Sequence, residues 1–552
     1  MLVSCELGEV GGETLKLHPG PRAGALTRSG WIVAACLCAL YAAMLRRYAV
    51  DFPCADDFGQ ILAVPHYVRY AQTLQAKLKE IFSLVPEHRI VTLRLAALVQ
   101  AHVLGGIDFR ALMYFGSALM MAAGLLLIST FDRSLRPLAA PVAAALLLSP
   151  ASYEATLWPT AALQHFGGLA YAIAALYCLS RPGLRWQLAA ALLAFATAFT
   201  SAGGLMVFPS AVVLLCVQKR WRSAVGWTFC GAILFAGYFI GYEAPPYQGS
   251  LASHLQQPWL LADFFFSTFG AVGRDATAAL ILGIGLALFW AWLLLSRRMQ
   301  SVPAVAMAWI VFLALSVAAI TWGRVGFGIP GALLSRYRIY SEFAVLVSLA
   351  ALLSQVSRDA GVRILLIALP ASLALFVASW RYDLPAMEWY SIDRRNELDY
   401  YAAEGHNLPA PASAVAFRDF VLAASRDEGY YVPTRATPPR HLRPEAIALD
   451  TSRPAAVAVQ APIVGKRVVL IRVYARGYGD GAFVWLKSAD RQYRGTLDQM
   501  PRAPLALGFR TGFFWGLYRL EGIAPGRYRI GVLAGERESP SAAWSDEWLT
   551  VE

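Results

Sequence analysis

Apolar residues run along the chain in about eleven blocks: near 30–45, 110–130, 137–149, 160–180, 186–200, 203–218, 223–242, 272–295, 302–321, 340–356 and 362–380. Blocks approaching the ~20 residues that cross a bilayer predict transmembrane helices. The blocks at 137–149 and 186–200 are short and are expected to tilt or to merge with their flanks. Between the first two blocks, residues 46–109 carry a different pattern. "VPHYVRYAQTLQAKLKEIFSLV" spaces its apolar residues along one helical face and sets basic residues opposite, which predicts a helix lying on the membrane surface. "HRIVTLRLAALVQAHVLGG" predicts a second, partly buried helix ended by Gly105 and Gly106.

Beyond Trp380 the pattern changes again. Residues 381–450 are rich in Pro, Arg, Asp and Glu without a readable period, and are expected to form an irregular linker. Over 451–552, short alternating runs such as "RVVLIRVYAR", "AFVWLKS" and "EWLTVE" are separated by Gly, Pro and Asp, which predicts an all-β, sandwich-like domain. The expected order is a tail at 1–29, a helical membrane domain at 30–380, the linker, and the β domain. No fixed-period repeat is visible.

Composition sharpens the class. The chain of 552 residues is 57% hydrophobic and 15% charged, where a soluble chain carries roughly 25% charged residues. That is a polytopic α-helical membrane protein. The net charge of +12 needs no nucleic-acid partner, because many Lys and Arg sit in short loops. "DRSLR", "RPGLR", "QKRWR", "SRR" and "SRDAGVR" alternate with loops poor in both, and the positive-inside rule puts the basic set in the cytoplasm. Residues 46–109, 243–271, 322–339 and everything after 380 then face outward. Arg46 and Arg47 oppose this orientation and are outweighed by the five later loops. The first span is expected to be a retained anchor rather than a cleaved signal. None of the seven cysteines lies beyond Cys230, so the C-terminal region has no disulfide framework, and no zinc CxxC pattern, P-loop or dinucleotide fingerprint occurs.

Candidate chemistry gathers in the outward loops. "DFPCADDFGQ", just past the first span, holds the adjacent acids Asp56 and Asp57. One reading is a helix cap. The other is a general base, or a pair sharing a divalent metal such as Mg or Mn. "PEHRI" supplies Glu87, His88 and Arg89, as first-turn charges or as phosphate and sugar contacts. "GRVGFGIPGALLSRYRIY" carries Arg324, Arg336 and Arg338 against the positive-inside bias. Such arginines either snorkel to lipid headgroups or bind a specific phosphate in a forked geometry. "SYEATLWPTAALQHFGG" places Glu154, Trp158, Gln164 and His165 at another outward span end, and Tyr337 adds an aromatic ring. Trp158 and Tyr337 also suit an interfacial belt.

With its long first outer loop, about eleven spans and C-terminal outer domain, the chain resembles the GT-C superfamily of integral membrane glycosyltransferases. Within it, the chain is similar to bacterial relatives of the protein mannosyltransferases and the lipid A aminoarabinose transferase. The likeness rests on "ADDF", "EHRI", "GGIDFRAL", "YEATLW", "LQHF", "TSAGGLMVFP" and "SRYRIYSEF" and covers roughly residues 30–380. It implies a multi-pass protein of the bacterial inner membrane with a periplasmic C-terminal domain. It also implies a polyprenyl-phosphate-linked sugar donor, an envelope glycan, lipid or protein acceptor, and Asp56 or Asp57 as the first-loop catalytic acid. The chain departs from the superfamily pattern in having two adjacent acids and no spaced second one, which leaves both the choice of acid and metal use open. The expected function is sugar transfer with inversion at the anomeric carbon. Arg324, Arg336 and Arg338 would hold the donor phosphate with Arg89 and His88, while Glu87, Glu154, Trp158, Gln164, His165 and Tyr337 would bind substrate. The alternatives are a flippase for lipid-linked sugars and a non-catalytic envelope assembly protein.

Overall fold

In the computed structural model each of the eleven expected spans falls on a helix. The described residues are 21–85, 87–243, 245, 248, 256–408, 412–433, 437–444, 457–459, 462–475, 482–499, 513–534 and 541–551. Among them, seven helices are long and apolar enough to cross a membrane: Ser29–Tyr48, Phe109–Ser129, Arg136–Leu157, Pro159–Leu179, Ala276–Leu295, Ala304–Phe327 and Arg358–Tyr382. Leu184–Ala198 and Ala202–Val217 are apolar but shorter. Trp221–Tyr238 and Arg338–Leu353 carry the remaining two of the eleven expected blocks. The protein is therefore mostly helical with several candidate spans, and the expected eleven exceed the seven that meet the length and composition needed to cross.

Small residues let the helices close on one another. A Cβ on Gly116 would meet Ala162 at 2.9 Å, so Phe109–Ser129 lies directly against the start of the next span but one. The long loop after the first span divides further than its pattern predicts. The expected surface helix is two helices, Val64–Tyr70 and Leu74–Phe82, with Thr73 capping the second through its hydroxyl. The second expected helix is Val91–Val103.

Residues 381–450 correct the expectation of an irregular linker. Leu384–Glu404 is a 21-residue helix that follows the last span after a single residue, Asp383, and Ala412–Asp427 is another. The first of these, the connector helix, buries polar side chains, and several of them tie it to neighbouring elements. Tyr48 donates to Glu388 Oε1 at 2.7 Å, and Ser391 donates to the Tyr48 carbonyl at 2.7 Å. Glu404 Oε1 accepts from the backbone N–H groups of Arg467 and Val468 at 2.7 and 2.8 Å.

The C-terminal strands are β1 (Arg440–His441), β2 (Arg443–Pro444), β3 (Val457–Val459), β4 (Ile463–Val464), β5 (Val468–Ala475), β6 (Ala482–Lys487), β7 (Gln492–Gln499), β8 (Phe513–Arg519), β9 (Gly526–Ala534) and β10 (Ser541–Val551). Their main path runs β10-β9-β6-β7-β8-β5-β3 with antiparallel neighbours throughout. The path curls into a half-barrel rather than two separate sheets. Val469, Ile471 and Phe514 from one half share a core with Val484, Ile530 and Leu549 from the other.

Candidate functional site

The two adjacent acids lie on a turn that runs straight into helical residues, with Asp57 at φ −59° and ψ −32°, and the turn begins at Ala55. Ala55 has φ 44°, the left-handed region that a residue with a Cβ seldom adopts. Asp57 turns inward and has no solvent exposure. Its Oδ1 accepts from the Thr160 N–H at 3.0 Å and the Thr160 hydroxyl at 2.5 Å, and its Oδ2 accepts from the Cys54 N–H at 2.9 Å. It therefore stitches the loop after the first span to the break that opens the span Pro159–Leu179. It makes no side-chain cap to the short π-helix Phe58–Leu62 that follows it, so the expected cap is absent too. Burial pushes Asp57 up to about 7, against the pull of its three donors.

Asp56 turns the other way, onto the wall of a cavity of about 960 Å³. Burial and the Glu87 carboxylate raise its pKa, and Arg336 and Arg324 oppose them. The opposite wall begins at a tight turn in which Val85 and His88 exchange backbone hydrogen bonds of 2.8 and 3.0 Å. That turn, not a helix start, presents Glu87, which forms an ion pair with Arg324. His88 Nδ1 accepts from the Ala202 N–H at 3.2 Å, so the ring proton sits on Nε2, 3.5 Å from Glu87. Burial pushes the imidazole down to about 4. His88 is thus a neutral N–H donor on the cavity wall.

Arg336 enters the cavity between two rings, with its guanidinium carbon 5.8 Å from the Trp158 centroid and 5.2 Å from that of Tyr337. Glu154 does not line the cavity. Its Oε1 accepts from Arg336 Nη1 at 3.1 Å and its Oε2 from the Ser335 hydroxyl at 2.9 Å. Its place is behind the arginine, as a positioning residue. Gln164 and His165 sit on a second π-helical turn, Ala162–Gly167, and both line the cavity. Such turns break helical register and cluster at functional sites. His165 Nδ1 lies 3.3 Å from the Tyr340 hydroxyl, and its ring meets Tyr337 edge-on at 5.4 Å.

Two expected phosphate ligands point elsewhere. Arg89 spends its guanidinium on the carbonyls of Phe82, Tyr238 and Ile240 at 2.5, 2.8 and 2.6 Å, a clamp holding the first loop to the helix Trp221–Tyr238. Arg338 starts the next helix and pairs with Asp383 at 2.7 Å, where Arg274 also pairs. The cavity instead gathers residues that the sequence did not single out. Gln60 follows the acids on the first π-turn, and Ser316 is a polar residue midway along an apolar span. A hydroxyl in such a run was the available signal for Ser316. Away from the polar groups, Phe235, Phe239, Met206, Ile320 and Phe327 make one side of the cavity apolar.

The acids do not fit a shared metal. Both oxygens of Asp57 are taken by N–H and O–H donors, and no group of three or more His, Cys, Asp or Glu able to hold an ion occurs among the described residues. Fold and site together define a helical protein with apolar candidate spans, a cavity with one polar and one apolar side at the ends of those spans, and an antiparallel β domain. No family model matches the chain, and neither curated proteins nor solved structures give a significant match.

Proposed function

We propose that the protein is a membrane glycosyltransferase that moves a sugar from a polyprenyl-phosphate donor to an acceptor hydroxyl or amine at the periplasmic face of the bacterial inner membrane. One observation carries the reading. A carboxylate without a side-chain hydrogen bond among the described residues, Asp56, shares a cavity with Arg324 and Arg336 where apolar helices end. Asp56 takes the proton from the acceptor nucleophile. The new bond to the anomeric carbon forms as its bond to the phosphate oxygen breaks, so the configuration inverts and positive charge builds on the ring. The two guanidiniums receive the phosphate's growing negative charge through forked N–H donors. The Glu87–Arg324 pair keeps one of them in place before substrate arrives. The apolar side of the cavity suits the donor's hydrocarbon, and no nucleotide enters the reaction.

The test is mass spectrometry of envelope glycans and lipid-linked sugars in a deletion strain restored with wild type, Asp56→Asn or Asp57→Asn at equal protein level. Wild type restores a one-sugar mass difference, while Asp56→Asn does not and accumulates the lipid-linked donor. Full restoration by Asp56→Asn would sink the proposal.

A further inference from the structure

We infer that the outer face of the β6, β9 and β10 sheet is a docking surface for an acidic polysaccharide, a role separate from the transferase reading. Strand register puts one set of side chains on this face. Trp485 pairs with Gly531, and Gly531 pairs with Trp544 on the far side. Lys487 pairs with Arg529, and Arg529 pairs with Trp548. The other face of the same strands carries Val484, Leu486, Ile530 and Val532 into the core.

The face is a ladder of cations lying on rings. The Lys487 ammonium is 5.2 Å from the Trp485 centroid. The guanidinium carbon of Arg529 is 4.8 Å from Trp544, and that of Arg527 is 4.7 Å from Trp548. Gly531 makes room for the central ring pair, since a Cβ there would meet Trp544 at 2.8 Å, and the Trp485 and Trp544 centroids lie 4.5 Å apart.

Two features point to an anionic partner. Lys487 and Arg529 stand directly opposite each other on neighbouring strands, an arrangement that like charge disfavours, and no carboxylate among the described residues pairs with Lys487, Arg527 or Arg529. Asp498, further along β7, is already engaged by Arg440 at 2.5 Å, and Asp546 lies in the bulge of β10. A guanidinium stacked over a ring has N–H donors left that fit the spaced carboxylates or phosphates of a sugar chain. The same stacking argues against a lipid surface, because Trp485 and Trp544 lie beneath cations instead of projecting as apolar anchors. The connector helix meets the other half of the barrel, through Trp389 on Phe513 and Arg472 on Asp393, and leaves this face clear.

The probe is polygalacturonate, with neutral dextran as control, titrated against the full-length protein in a neutral detergent. Wild type should bind polygalacturonate in a salt-dependent manner and dextran not at all. The Arg527→Gln, Arg529→Gln double variant should lose at least ~10-fold in affinity, and the corresponding double Lys variant should keep most of it. Thermal unfolding of the Gln variant at the wild-type temperature assigns its loss to the surface. Equal binding of both polymers, or undiminished binding by the folded Gln variant, would overturn the inference. Binding to phosphatidylglycerol vesicles through these arginines with no response to polygalacturonate would overturn it in favour of a membrane contact.

Discussion

Replacing Asp57 with Asn separates the two acids by their work. The wild-type carboxylate takes three hydrogen bonds in a site without solvent. The amide keeps one oxygen, and both Thr160 donors converge on a single oxygen, so that pair survives. The amide NH2 then faces the Cys54 N–H across the 2.9 Å that Oδ2 now bridges, donor against donor. Leaving that buried N–H without its acceptor costs ~1–3 kcal/mol. Ionisation works the other way. Burial raises Asp57 from 3.8 to about 7, so its ionised form is disfavoured in the fold by ~4 kcal/mol well above that pH, and Asn never carries the charge. The stability that comes from protonated Asp57 is complete below its unfolded pKa and is lost as pH rises through its folded pKa. The deficit of Asp57→Asn should thus be largest near pH ~5 and shrink towards pH ~8. Thermal unfolding of the purified full-length protein across that range, followed by size-exclusion chromatography, reads the difference. A deficit that grows with pH, or none at any pH, refutes the assignment.

Glu154→Gln loosens the arginine it backs, and should raise the donor KM ~10-fold with a smaller change in kcat; an unchanged KM would remove Glu154 from its positioning role. Because the pKa of Asp56 is raised, the acid limb of kcat/KM should lie above the ordinary carboxylate range, with activity rising as pH climbs through it. His88→Gln should leave that limb in place, and its disappearance would make His88 the base. Chelation with EDTA should leave the transfer rate within ~2-fold, since the oxygens of Asp57 are committed to donors, and a metal-restored loss would refute that reading. Gly204→Ala puts a Cβ into the Thr197 carbonyl, and should displace the turn whose Ala202 N–H holds His88, seen as lower yield and a lower melting temperature.

The helices were legible because crossing a membrane demands long apolar runs, and the β domain because alternation with period 2 survives at short length. The connector helix was not. It buries Glu388, Ser391, Asn396, Asp399 and Glu404 among Met387, Ile392 and Leu398, so polar residues break up its inward face and hydropathy sees no stripe. Within the site, the polar loops at the span ends named the right neighbourhood but not the orientation of each side chain. Asp56 and Asp57 differ by one residue around a left-handed turn at Ala55, and nothing in the composition of "CADDF" marks it. Arg336 and Arg338 are two residues apart, yet a helix begins at Arg338 and carries that side chain to Asp383. Arg89 could be assigned only once the carbonyls it clamps were in place.

The connector helix has a mechanical consequence. A helix of 21 residues is ~30 Å of stiff rod. Near its start, Glu388 and Tyr390 grip Tyr48 and Cys54, the latter with the Tyr390 hydroxyl 3.0 Å from its sulfur, and Cys54 is the residue whose N–H holds Asp57. At its other end, Glu404 grips the first residues of β5. Tilt or rotation of the half-barrel is thereby transmitted along the rod to the turn that aims Asp56. The β domain and the acid loop, some 400 residues apart in the chain, are held at the two ends of one rod.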